Sequence, residues 1–111
     1  MEILWYSAPI MNNQGQKSVR YIVFKEEGSW HAVALEFNIV ESGDDPREVL
    51  IMLFEAIKGY IDSAIKNNIP EVLHQKPAEE YENLWKKLSK HEPVPSPFSV
   101  FTHGETNLAN L

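Results

Sequence analysis

The chain has 111 residues, 43% of them hydrophobic and 11% aromatic, carries a formal charge of −6 and contains no cysteine. Its length fits one domain on the usual scale of ~100–200 residues, with core enough to hide about two-thirds of the unfolded surface. Disulfides, thiolate metal sites and cysteine nucleophiles are excluded, a reducing, cytoplasmic setting is favoured, and the acidity speaks against a broad basic surface for nucleic acid while leaving room for a basic protein partner.

Residues 1–9 have neither the basic start nor the long apolar run of a signal peptide, and no window approaches the ~18 apolar residues that span a bilayer. The first 18 residues hold a short apolar run, Ile3-Leu4-Trp5-Tyr6, followed by a polar, turn-like stretch. Residues 19–24 are β-branched and aromatic, which predicts a strand covered on both faces. A charged loop of hairpin length, residues 25–29, leads to a second predicted strand over 30–37. Strict alternation along it sets His31, Val33, Leu35 and Phe37 on one face and Trp30, Ala32, Ala34 and Glu36 on the other. A short third strand, 38–43, ends in glycine.

The clearest pattern lies in residues 44–67. Asp45 is a good N-cap, Pro46 suits the first helical position, and Glu48 stands where a capping box needs its acid. Val49, Leu50, Leu53, Ala56, Ile57, Tyr60, Ile61 and Ala64 then recur at the spacing of one buried helical face. Asn67-Asn68 and Pro70 close the helix. A connector, 71–77, precedes a second, shorter helix over 77–88 with acids in its first turn and lysines in its last. Its apolar stripe is thin: Tyr81, Leu84, Trp85 and Leu88. Three prolines from Pro93 to Pro97 exclude regular structure there, and residues 98–102 predict one more strand, augmenting this sheet or a partner's, before a loose tail from Asn107. The expected fold is α+β: a three- to four-stranded, mainly antiparallel sheet in a β-β-β-α core, one long helix packed on it, a second short helix and an extended C-terminal segment, all in one domain.

Residues able to carry chemistry are sparse. The histidines, at 31, 74, 91 and 103, include no pair at the helical spacing that puts two imidazoles on one metal. Glu71 and His74 have the i, i+3 spacing of di-iron bundles but lack the second pair and the further carboxylates such sites require. Ser42-Gly43 and His103-Gly104 lack the flanking pattern of a nucleophile elbow, and the dispersed glycines form no phosphate cradle. Asp44-Asp45, with Glu41 nearby, is the one carboxylate pair fit for acid–base work or Mg²⁺, although helix capping already accounts for Asp45. No catalytic residue, metal or cofactor is therefore assigned.

The succession of Tyr21-Ile22-Val23-Phe24, then Trp30 to Leu35, then Val40-Glu41-Ser42-Gly43-Asp44-Asp45-Pro46-Arg47-Glu48-Val49-Leu50 and the long helix resembles the HicB-like antitoxin family over residues 19–67. Asp45 stands where that family usually has threonine at the start of the helix, and Val49 where it has alanine. The resemblance implies a compact, often dimeric protein without enzymatic activity of its own, which binds a small basic toxin (HicA-like) that cleaves messenger RNA. Many members add a C-terminal DNA-binding unit. Residues 70–111 hold a helix and a proline-rich tail but no basic reading helix, so operator binding is not expected, and the family's stand-alone members, which lack a neighbouring toxin, are an open alternative.

The leading expectation is thus a non-enzymatic module whose acidic surface engages a protein partner, with homodimers or higher oligomers formed by the same chain. Tyr81, Leu84, Trp85, Leu88, Phe98, Val100 and Phe101 are the candidate partner or subunit interface. Two alternatives stand beside it: a small Mg²⁺-dependent hydrolase or nuclease using Asp44, Asp45 and a histidine, and a structural homodimer with Trp85 at its contact.

Overall fold

The computed structural model describes residues 18–73, 75–94 and 99–108. The apolar run at residues 3–6, His74, Pro95, Pro97, Phe98 and the last three residues lie outside them. Four strands form one antiparallel sheet in the order β3-β2-β1-β4: β1 (Ser18–Glu26), β2 (Ser29–Ala34), β3 (Ile39–Gly43) and β4 (Ser99–Asn107). Two helices, α1 (Pro46–Lys66) and α2 (Glu79–Ser89), pack on its two sides, and the α+β class is as expected.

The β1–β2 link is tighter than the expected loop. Glu26 already pairs with Ser29, leaving a two-residue turn of Glu27 (φ 54°) and Gly28 (φ 83°). Two positive φ angles in succession make the hairpin turn whose twist matches its strands, and glycine takes such an angle without a Cβ penalty. The central strand β1 is buried on both faces, as its composition predicts. Val19 and Val23 point toward α1, where Ala32, Ala34, Val49, Leu53 and Ile57 complete one buried cluster. Ile22 and Phe24 point the other way and meet Val33, Leu35 and Leu84 of α2.

Strand β2 is shorter than its alternation implies. It stops at Ala34, and Leu35–Phe37 form a 3₁₀ turn closed by Asn38 in the left-handed region (φ 54°). A continuous strand would have left Phe37 on the α2 side with Val33 and Leu35. The turn instead carries Phe37 to the α1 side, where its ring lies 5.1 Å from that of Tyr60. Asparagine tolerates that backbone conformation better than other residues with a Cβ, and burying Phe37 in the larger core favours it.

Helix α1 buries Val49, Leu53, Ile57 and Ala64, four of the eight residues on the predicted face, and half-buries Leu50, Ala56, Tyr60 and Ile61. The Asp45 carboxylate accepts from the backbone N–H groups of Arg47 (2.8 Å) and Glu48 (3.3 Å). Among the described residues the Glu48 carboxylate returns no bond to Asp45, so the predicted capping box is half formed. Asp45→Ala is expected to lower stability by about 1 kcal/mol in chemical denaturation, while Glu48→Gln changes it by less than half of that. At the far end Asn68 takes φ 55° and the Ile69 N–H reaches back to the Ala64 carbonyl at 2.9 Å.

Helix α2 spans Glu79–Ser89 rather than 77–88, beginning after the extended Ala78. Strand β4 runs through Asn107, five residues past the predicted end, and pairs with β1. Its register shifts opposite Val23 and Phe24, where Phe101 forms a bulge. Gly104 faces Tyr21 so closely that a Cβ there would come within 2.7 Å of the phenol oxygen. Tyr21 covers this glycine and meets Phe54 of α1 edge-on at 5.4 Å, an aromatic cover of the kind that offsets the weak strand propensity of glycine.

Candidate protein-binding surfaces

The thin stripe of α2 is used within the chain. Leu84 is 3% exposed and sits in the cluster with Ile22, Phe24, Val33 and Leu35, while Tyr81, Trp85, Leu88 and Val100 pack around it, half-buried. The structure therefore gathers five of the seven candidate interface residues, but against their own sheet. Phe101 differs: it is 46% exposed and meets Trp30 edge-on, ring centroids 5.9 Å apart. Phe98 lies outside the described residues.

A clasp that the sequence reading missed fastens α2 to the sheet. The Arg20 guanidinium donates both terminal nitrogens to the Glu82 carboxylate at 2.8 Å, and its Nε donates to Glu36. The Arg20 backbone N–H donates to the other Glu36 oxygen at 2.9 Å. The guanidinium also lies over the Trp85 ring, 5.4 Å from its centre, and His103 meets that ring edge-on at 5.5 Å. Paired, planar donation of this type is arginine's particular strength. The hydrogen bond from Arg20 holds the Glu82 carboxyl below its ordinary range, while the guanidinium is raised further still, chiefly by Glu82 and against the effect of burial. One signal was available: Arg20 and Glu36 are charged residues inside otherwise apolar runs, and a charge leaving water needs a partner. Sequence separations of 16 and 62 residues hid which partners they were.

Carboxylates collect at the hairpin end of the sheet. Register places Glu26 beside Ser29 and Trp30 beside Gly43, so the Glu27-Gly28 turn and the Asp44-Asp45 link to α1 share that end. Glu48 follows in the first turn of α1. The start of α2 reaches the same neighbourhood: the Tyr81 ring lies 6.0 Å from that of Phe24, two residues before Glu26, and burial, with the fields of Glu80 and Glu26, pushes the Tyr81 hydroxyl up. The Lys25 ammonium lies over the Trp30 ring at 5.8 Å, at this same end. This acidic end is made by topology, because its residues come from three separate stretches of chain.

The candidates for catalysis do not converge. Asp45 is occupied as the cap and Asp44 is exposed beside it. The His31 Nδ1 and Ser42 Oγ lie 2.7 Å apart as a cross-strand pair, and among the described residues no carboxylate orients the other imidazole nitrogen. His91 and His103 are exposed and separate, and Glu71 is exposed in the 3₁₀ turn Pro70–Leu73. Among the described residues no three His, Asp or Glu side chains are placed to hold a metal ion, and no helix is long and apolar enough to cross a membrane.

These features define an α+β protein with a two-sided sheet, one long edge strand and an acidic end. Comparison with family models, with curated proteins and with solved structures finds no match to the chain.

Proposed function

We propose that this chain is a non-enzymatic protein-binding module acting as an antitoxin of the HicB-like kind, which neutralises a small basic toxin that cleaves messenger RNA. The observation that carries the reading is the gathering of Glu26, Glu27, Asp44, Asp45, Glu48 and Glu80 around one end of the sheet. A surface of one sign speeds encounter with a partner of the opposite sign and rejects like-charged competitors. The β-β-β-α succession over residues 19–67, on which the resemblance rests, supports the same reading. The work is done in the cytoplasm, where the toxin's messenger RNA target is.

The reading expects a small basic ribonuclease to be encoded beside this chain, and the test mixes that protein, purified, with the purified chain. A stoichiometric complex that stops RNA cleavage is the expected result. The double substitution Glu27→Lys, Asp44→Lys is expected to slow association by about tenfold at low salt and by much less at 0.5 M salt, with the melting temperature little changed. Absence of a complex, or cleavage that continues within it, would end the antitoxin reading.

A further inference from the structure

The outer side of an edge strand is a row of amides and carbonyls that another strand satisfies best, and proteins that stay apart blunt it with proline, lysine or a very short strand. The opposite edge here is short: β3 has five residues and runs directly into the cap of α1. Strand β4 is nine residues long and contains neither proline nor lysine. Among the described residues no strand lies along its outer side. The bulge at Phe101 disturbs only its first part. From Thr102 to Thr106 the pairing with β1 is regular, from Val23 beside Thr102 to Val19 beside Thr106.

We propose that this regular part of β4 is a self-recognition edge, on which a second copy of the chain docks antiparallel about a two-fold axis at Gly104. Directly opposed residues of an antiparallel pair lie on one face of the sheet. An axis at Gly104 sets His103 opposite Glu105 of the second copy and Thr102 opposite its Thr106, each pair occurring twice by symmetry. The faces agree with the observed register. His103 and Glu105 stand beside Ile22 and Arg20 on the α2 side, whereas Thr102 and Thr106 stand beside Val23 and Val19 on the α1 side. Imidazole–carboxylate and threonine–threonine pairs are both favourable across strands.

Neighbouring registers lack this match. An axis at His103 opposes the two imidazoles and sets Phe101 against Glu105, and an axis at Glu105 opposes two carboxylates. The residues are available: His103 and Glu105 are exposed, and the Ser18 hydroxyl, which donates to one Glu105 oxygen at 2.5 Å, leaves the other oxygen to accept. The acidic end of the sheet lies toward Lys25 while Gly104 lies beside Tyr21, so self-association and toxin binding stand or fall separately.

Sedimentation velocity of the full chain over a range of concentrations tests the pairing. His103→Glu, which opposes two carboxylates twice over, is expected to raise the dimer dissociation constant by at least about tenfold, equivalent to ~1.4 kcal/mol. The double variant His103→Glu, Glu105→Lys restores opposite charge and is expected to recover the dimer to within about threefold of the unaltered chain. Amide exchange on the unaltered chain needs no variant: slowing of exchange at residues 102–106 as concentration rises supports the edge contact. A chain that stays monomeric at every concentration, a dimer indifferent to His103→Glu, a double variant that recovers nothing, or concentration-dependent protection confined to other segments would each overturn it.

Discussion

Phe24→Ala is expected to destabilise the protein by about 3–5 kcal/mol, the usual cost of emptying a buried aromatic site. The ring is 1% exposed on the α2 side of the central strand, with Tyr81 6.0 Å away on one side and His31 5.4 Å away on the other. Ile22, Val33, Leu35 and Leu84 fill the rest of that cluster, and among these only Leu84 belongs to α2. Removing the ring takes away much of the surface on which the short helix rests, and α2 is too short to persist alone in water. Total stabilities of ~5–15 kcal/mol leave little margin after such a loss. Urea denaturation followed by tryptophan fluorescence measures it. A loss below about 1 kcal/mol would mean that α2 is not seated on this face.

The second large effect concerns the clasp. Arg20→Ala leaves Glu36 and Glu82 facing each other without their shared cation, and a cost of about 2 kcal/mol is expected. That figure is below the cost of breaking a fully buried pair because the Arg20 and Glu82 side chains retain 21% and 27% of their exposure. The pH dependence carries a sign. Arg20 lowers the folded-state Glu82 pKa, so the stabilisation is present above the ordinary carboxylate pKa of ~4.3 and is lost as pH falls through the lower folded value. The unaltered chain is therefore expected to lose melting temperature below about pH 4 more steeply than Arg20→Ala does. Parallel acid-melting curves for the two proteins would refute the clasp. A double-mutant cycle with Glu82→Ala isolates the pair from the packing that the arginine stem also supplies.

What could be read without coordinates was whatever local rules decide. The Asp45 cap, the eight-residue face of α1, the antiparallel order of the first three strands and the two-sided burial of β1 all follow from neighbours in sequence, and the structure has each of them. The misses share a different cause. Residues 35–37 alternate like a strand, yet they turn because Phe37 is better buried beside Tyr60, more than twenty residues away. The stripe of α2 is too thin to reveal whether it meets another subunit or its own sheet, since both would bury the same four side chains. The length of β4 was hidden because Thr102 to Asn107 are polar residues, and what makes them a strand is the free side of β1 and the aromatic cover over Gly104. The acidic end was legible as a total charge but not as a place, because strand register and helix direction bring its members together.

The middle position of β1 sets the order in which the fold can close as the chain is made. Its partner on one side arrives after a two-residue turn, whereas its partner on the other is made some eighty residues later. A growing chain can close the hairpin, the third strand and α1 while Ile22 and Phe24 still wait for α2, and the flank of β1 waits for β4. Contacts so far apart in sequence form slowly, and an uncovered strand flank invites pairing with neighbouring nascent chains. The interval between synthesis of residue 66 and synthesis of residue 107 is therefore when the flank of β1 is open to pairing with neighbouring chains.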